Sequence, residues 1–141
     1  KTGMVREESR LVAYLGPASQ AAAEAAYCAG EQDKYWEFRH QAYANQKDER
    51  DTPVGRADFV KYAAAVGLDQ GKFTNCYDTQ RYGALVEQTT TQAQKAGVAG
   101  TPTFFVNGTK YEGAYPFTGS DAQPGFKDIL DAAVSAVGGA P

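Results

Sequence analysis

Apolar and polar residues alternate at the helical period over most of this 141-residue chain. Apolar positions three or four residues apart predict helices over about 17–30, 32–45, 55–66 and 79–96, and a final one from Phe126 to Val137. A short helix with Phe73, Cys76 and Tyr77 should begin after Asp69, whose carboxylate suits an N-cap. The pattern therefore predicts five helices, a segment over 97–125 without the helical period, and a sixth helix.

The segment between the fifth and sixth predicted helices contains the pattern of a β-hairpin. Thr103–Val106 is a β-branched and aromatic run, Asn107-Gly108 readily adopts the two positive φ angles of a type I′ turn, and Thr109–Glu112 returns. Before the first helix, residues 4–15 should contain a further strand, clearest from Arg10 to Leu15. The predicted order is strand, five helices, hairpin and helix, which places the chain in the α/β class.

Pro102 opens the first hairpin strand, after a loop that begins at Gly97. Since proline has no N–H to donate, it belongs at the first position of a strand or on a sheet edge. Only about 5 to 6% of X-Pro bonds in folded proteins are cis, so the residues alone favour a trans bond here.

The chain has two cysteines, Cys28 and Cys76, 48 positions apart. This spacing excludes a Cys-x-x-Cys pair and a metal site built from closely spaced cysteines. A structural disulfide and two buried free thiols fit the residues equally well.

Composition limits the remaining classes of function. The net charge is −3, and acidic and basic residues are interspersed, so the chain has no extended region of positive potential. We therefore expect no nucleic-acid partner. His40 is the only histidine, which excludes a multi-histidine metal site; with Trp36 and Tyr43 it should pack on one helix face. We expect one domain, residues 1–141, with no metal and no cofactor.

Four blocks of residues together are similar to a known family. They are Gly16-Pro17-Ala18-Ser19-Gln20, the run from Ala22 to Gln32, Tyr35-Trp36-Glu37-Phe38 with Ala44-Asn45-Gln46, and Gly100-Thr101-Pro102-Thr103-Phe104-Phe105-Val106-Asn107-Gly108. In this order they resemble the C-terminal three quarters of a DsbA-like thiol-disulfide oxidoreductase of the bacterial cell envelope. The resemblance implies an incomplete thioredoxin-like fold with a helical insertion over about 17–96.

The same resemblance implies roles for particular residues. Pro102 should follow a cis peptide bond, and Thr101 and Pro102 should bind substrate, with the Thr101 backbone pairing to an extended peptide. The resemblance also favours a structural disulfide between Cys28 and Cys76. Such a bridge would place the chain in an oxidising compartment outside the cytoplasm, such as the periplasm.

Family members carry a catalytic Cys-x-x-Cys in a segment that precedes the part matched here. Since this chain has no such motif, we expect it to be redox-inactive as it stands. The implied partners of the parent enzyme are exported proteins or peptides with thiols or disulfides, and a redox partner protein. The alternative function is a non-catalytic peptide-binding module.

In the thioredoxin arrangement another strand lies between the predicted first strand and the hairpin. Its absence would leave two strand edges unpaired, at a cost of roughly 1 to 3 kcal/mol for each buried backbone group without a partner. We therefore expect either that a second copy of the chain adds a strand, giving a homodimer, or that the first strand pairs directly with the hairpin.

Overall fold

The computed structural model of the chain describes residues 3–45, 54–120 and 122–138. Its elements are α1 (Pro17–Gly30), α2 (Tyr35–Ala44), α3 (Arg56–Ala65), α4 (Gln70–Asp78), α5 (Gly83–Lys95), β1 (Thr103–Val106), β2 (Thr109–Glu112) and α6 (Phe126–Ala136). The predicted succession of five helices, a hairpin and a sixth helix is confirmed. These elements form two compact units: a helical unit, Arg10–Lys95, and a hairpin unit, whose described residues are 3–9, 96–120 and 122–138.

Two helices begin later than predicted, because the residues before them complete the preceding helix. Asp33 has a positive φ of 57°, and the Lys34 N–H donates to the Ala29 carbonyl at 3.1 Å, so α2 begins only at Tyr35. Gln80 likewise has a φ of 50°, and the Arg81 N–H donates to the Cys76 carbonyl at 3.2 Å, which closes α4. The charged connection predicted over 47–53 lies outside the described residues.

The strand predicted within residues 4–15 is wrong. Among the described residues the sheet contains β1 and β2 alone, and residues 5–13 adopt no regular element. Side chains of the helices take the hydrogen bonds that a neighbouring strand would have made. The Leu11 N–H donates to the Tyr27 hydroxyl at 3.3 Å, the Ala13 N–H donates to Thr90 Oγ1 at 2.9 Å, and the Thr89 hydroxyl donates to the Leu11 carbonyl at 2.7 Å. The described segment therefore does not pair with the hairpin, and a homodimer stays a prediction.

The core of the helical unit surrounds a disulfide. Cys28 on α1 and Cys76 on α4 are bonded, with an Sγ–Sγ distance of 2.06 Å and Cα atoms 5.8 Å apart, which confirms the disulfide. Both cysteines are buried, at 1% and 0% exposed. Around them pack the fully buried rings Phe38, Phe59 and Phe73. Alanines on the buried face of α1 let four other helices approach it closely.

The predicted packing face of α2 is wrong in part. Phe38 is the residue that α2 buries fully, whereas Trp36 and Tyr43 are 45% and 63% exposed and His40 is also exposed. Arg39 explains the difference, since its guanidinium carbon lies 5.6 Å from the Trp36 ring centre and 5.1 Å from that of Tyr43. The two aromatic rings pack against this cation instead of filling the core.

An ion pair joins the C-terminal end of α1 to the turn between α4 and α5 on the surface of the helical unit. Arg81 Nη1 donates to both carboxylate oxygens of Glu31 at 2.8 Å, and the Tyr82 hydroxyl donates to Glu31 Oε1 at 3.0 Å. The hydrogen bond from Arg81 is the main reason why the pKa of Glu31 lies below its usual value. The charged form of Glu31 therefore stabilises the folded chain.

The hairpin unit pairs two short strands and covers one face with α6. β1 and β2 are antiparallel, with Val106 opposite Thr109 and Phe104 opposite Tyr111. Asn107 and Gly108 have φ angles of 47° and 86°, as a type I′ turn requires. Phe104 lies edge-on against Phe126 at the start of α6, with ring centres 4.6 Å apart. The hairpin prediction is confirmed in full.

We predict that replacing both cysteines by alanine (Cys28→Ala with Cys76→Ala) lowers the free energy of unfolding by about 4 kcal/mol, since the bridge spans a sequence separation of 48 residues. Urea unfolding under non-reducing conditions measures the difference. Two thiols open to alkylation in native protein purified without reductant would contradict the bridge itself.

We predict that Glu31→Gln lowers stability at pH 7 by on the order of 1 kcal/mol or less, since the pair is partly exposed. Because the pKa of Glu31 is lowered in the folded chain, its contribution is present above the unfolded pKa of about 4.3 and is lost as pH falls through the folded value. Urea unfolding at pH 7 and pH 3 should thus show a larger difference at pH 7 than at pH 3. Glu87→Gln, on the exposed face of α5, serves as the control.

Candidate functional site

The loop before β1 is held by hydrogen bonds at three points. The Lys110 Nζ donates to the Gly97 carbonyl at 3.1 Å, where the loop begins. The Thr103 hydroxyl donates to the Gly100 carbonyl at 2.8 Å, and the Gly113 N–H donates to the Pro102 carbonyl at 2.9 Å. The loop is therefore fixed to both strands of the hairpin.

Thr101 and Pro102 lie at the exposed end of this loop. The peptide bond between them is cis. The backbone N–H and C=O of Thr101 form no hydrogen bond with any other residue that the structure describes. An extended chain placed beside Thr101 could therefore form both backbone hydrogen bonds.

The outer edge of β1 continues this row of unpaired backbone groups. Since hydrogen-bonded pairs alternate along an antiparallel ladder, the bond between Gly113 and Pro102 means that Phe104 and Val106 also bond to β2. Thr103 and Phe105 then direct their N–H and C=O groups away from β2, and these groups have no partner within the described residues. The Phe105 side chain is 52% exposed.

The chemistry available at this edge is backbone pairing. Both cysteines belong to the helical unit, where they are bonded to each other and buried. The charged groups of the loop and hairpin include Lys110, whose ammonium contacts Glu112 Oε1 at 2.9 Å. Residues 3–45, 54–120 and 122–138 contain no group of three or more histidine, cysteine or acidic side chains suited to a metal ion.

The sequence prediction named Thr101 and Pro102 but missed Lys110 as the residue that holds the loop. Lys110 and Gly97 are 13 positions apart, and a lysine in a strand commonly has an ordinary solvent-exposed role. A weak signal was present, because the second residue after a two-residue turn, here Lys110, lies opposite Phe105. The substrate-binding roles of Thr101 and Pro102 stay predictions.

Comparison with known proteins identifies the family. A family model described as Thioredoxin matches residues 1–123. The chain belongs to the thioredoxin family. Within it, the chain is similar to the crystal structure of reduced DsbA from Mycobacterium tuberculosis, with 26% identity and a TM-score of 0.54, over 89% of this chain and 68% of that one. The predicted resemblance to DsbA-like proteins, with five helices inserted before the hairpin, is confirmed.

Curated relatives with a different name also match this thioredoxin-family chain. It is 37% identical over 99 residues to the Na(+)/H(+) antiporter NhaA 3 of Salinispora tropica and 36% identical over 99 residues to NhaA 1 of Salinispora arenicola. In both cases the match covers 70% of this chain but 14% of the relative. The similarity therefore concerns a small part of those proteins. Within the part of our chain that the structure describes, no helix is both long and apolar enough to cross a membrane.

We predict that Lys110→Met increases the motion of the loop, because it removes the hydrogen bond to the Gly97 carbonyl. Backbone amide order parameters of residues 97–103 should fall from about 0.85 toward 0.6. Lys127→Met is the matched control, since Lys127 bonds to Asp131 on the same helix. Order parameters that are equal in the two variants would show that Lys110 does not hold the loop.

Proposed function

We propose that this chain is the substrate-binding part of a DsbA-like thiol-disulfide oxidoreductase that acts on exported proteins. An extended segment of the substrate lies beside Thr101 and Pro102 and pairs with the free backbone of Thr101 as an added strand. In the parent enzyme, a thiolate of a Cys-x-x-Cys pair exchanges with a substrate disulfide through a mixed disulfide next to Pro102.

The observation that carries this proposal is the unpaired backbone of Thr101 at an exposed, fixed position. Backbone pairing gives affinity for an extended peptide regardless of its sequence, which suits an enzyme that acts on many proteins. The family match and the similarity to DsbA support the reaction class.

The Cys28–Cys76 disulfide is proposed to be structural and not the redox pair. Thiol-disulfide exchange requires an attacking thiolate to reach a sulfur atom, and both sulfurs lie in the core of the helical unit. The chain as it stands should therefore fail to catalyse the reduction of insulin by dithiothreitol. Turnover that disappears when Cys28 and Cys76 are both replaced would instead make this disulfide the reactive group.

We further propose an extracytoplasmic location for the parent protein. The buried disulfide supports it, because such bonds form and persist in oxidising compartments. The similarity to DsbA supports it as well. A redox partner protein would then restore the oxidation state of the parent enzyme's Cys-x-x-Cys after each turnover.

We predict that Thr101→Pro weakens the binding of an extended peptide about fivefold or more, because proline lacks the backbone N–H that the peptide would accept from Thr101. Thr101→Ala is the matched control, since it removes the side chain but keeps that N–H. The measurement is a titration with a peptide whose cysteine is replaced by serine, followed by amide chemical shifts of residues 100–105.

The amide chemical shifts of Phe104 and Tyr111 show whether the two strands of the hairpin stay paired in each variant. Binding that is equal in the proline and alanine variants would exclude backbone pairing at Thr101. Binding that is lost in both variants would assign recognition to the side chain.

A further inference from the structure

A cavity opens in the helical unit between α1 and the turn that follows α4. Its volume is about 390 Å³, within the range of small-molecule sites. The lining combines Pro17, Ala21 and Tyr77 with the polar residues Gln20, Glu24 and Gln80. None of these residues has a part in peptide binding at Thr101.

Glu24 is the one charged residue that the described core buries, at 4% exposed. Its only hydrogen bond to another described residue comes from Gln20 Nε2, which lies 3.3 Å from Oε1. A carboxylate that leaves water is normally paired with a cation or satisfied by several donors. Gln20 is the one described donor to this carboxylate, and the second oxygen, Oε2, is not fully buried, so it is open to the cavity that Glu24 lines.

The neighbouring charges do not compensate Glu24. Arg56 donates to both oxygens of Asp78 at 2.6 Å, so the guanidinium is already paired. The N-terminus of α5 contributes a partial positive charge, since a Cβ at Gly83 would lie 3.5 Å from Glu24 Oε1. With Asp78 neutralised by Arg56, the side chains that line the cavity carry a net charge of about −1, which the N-terminus of α5 offsets only in part.

We propose that this cavity binds a small organic monocation, a primary ammonium on a short hydrocarbon chain. The ammonium group contacts the carboxylate of Glu24, and the hydrocarbon lies against Pro17, Ala21 and Tyr77. Three donors on an ammonium match the free lone pairs of Glu24 and the amide oxygens of Gln20 and Gln80. A dication would be left with one charge unpaired.

Tyr77 adds no negative charge to that of Glu24 in the cavity. Burial is the main reason why the pKa of this phenol lies above its usual value, and the charge of Glu24 raises the pKa further. The phenol thus stays neutral at physiological pH. The uncharged side chain of Tyr77 lines the cavity together with Glu24.

The test is a titration of the ¹⁵N-labelled 141-residue chain with n-butylammonium chloride, with sodium chloride at the same ionic strength as the reference. We expect saturable amide shifts in residues 17–24 and 77–83. Glu24→Gln keeps the shape of the side chain but removes its charge, and should weaken binding about tenfold or more. Glu87→Gln, an exposed carboxylate on α5, should leave the affinity unchanged.

n-Butanol provides the second control, because it has the same hydrocarbon without the charge. Equal affinity for butanol and butylammonium, shifts confined to other residues, or an affinity in Glu24→Gln within twofold of the parent would overturn the proposal. If Glu24→Gln does not fold, Ala21→Leu fills the cavity and leaves the carboxylate in place. Loss of binding in Ala21→Leu then supports the site, and retained binding overturns it.

Discussion

Every N–H and C=O of a β-strand needs a partner, and in β1 only half of these groups find one within the described chain. The groups that bond to β2 set the register of the hairpin, and those of Thr103 and Phe105 face the opposite edge. Thr101, which directly precedes Pro102, also has both backbone groups free. The proposed function uses the Thr101 end of this row, where an extended peptide pairs with the backbone without needing a particular side-chain sequence.

The rest of the hairpin unit keeps that edge in place. α6 covers one face of the hairpin through Phe126 and Phe104, and its first turn is tied to the preceding loop, since the Phe126 N–H donates to the Pro116 carbonyl at 2.8 Å. Gly125 before the helix approaches the backbone of Gly119 so closely that neither position has room for a Cβ. The helical unit has its own covalent tie in the Cys28–Cys76 bridge, which the family resemblance implied and the structure contains.

The sequence predicted elements well where local chemistry decides them. Asp69 caps α4, because its Oδ1 accepts a hydrogen bond from the Lys72 N–H at 2.9 Å. Asn107-Gly108 forms the predicted turn. The prediction of a first strand was wrong because it rested on residue type alone. Whether Leu11 and Ala13 form a strand depends on which hydrogen-bonding groups lie next to their backbone. Here these groups are the hydroxyls of Tyr27 and Thr90, which are distant in sequence and so could not be inferred from local residue types. For the same reason the buried Glu24 and its cavity could not be predicted, since they depend on how α1 meets the turn after α4.

Residue-resolved amide hydrogen exchange of the free chain measures which backbone groups of β1 and Thr101 are unpaired. We expect fast exchange at Thr101, Thr103 and Phe105, slow exchange at Phe104 and Val106, and slowing at Thr101 when an extended peptide is bound. Strong protection of Phe105 together with Phe104 in the free, monomeric chain would show that the outer edge of β1 is already paired, and would contradict the free edge described above.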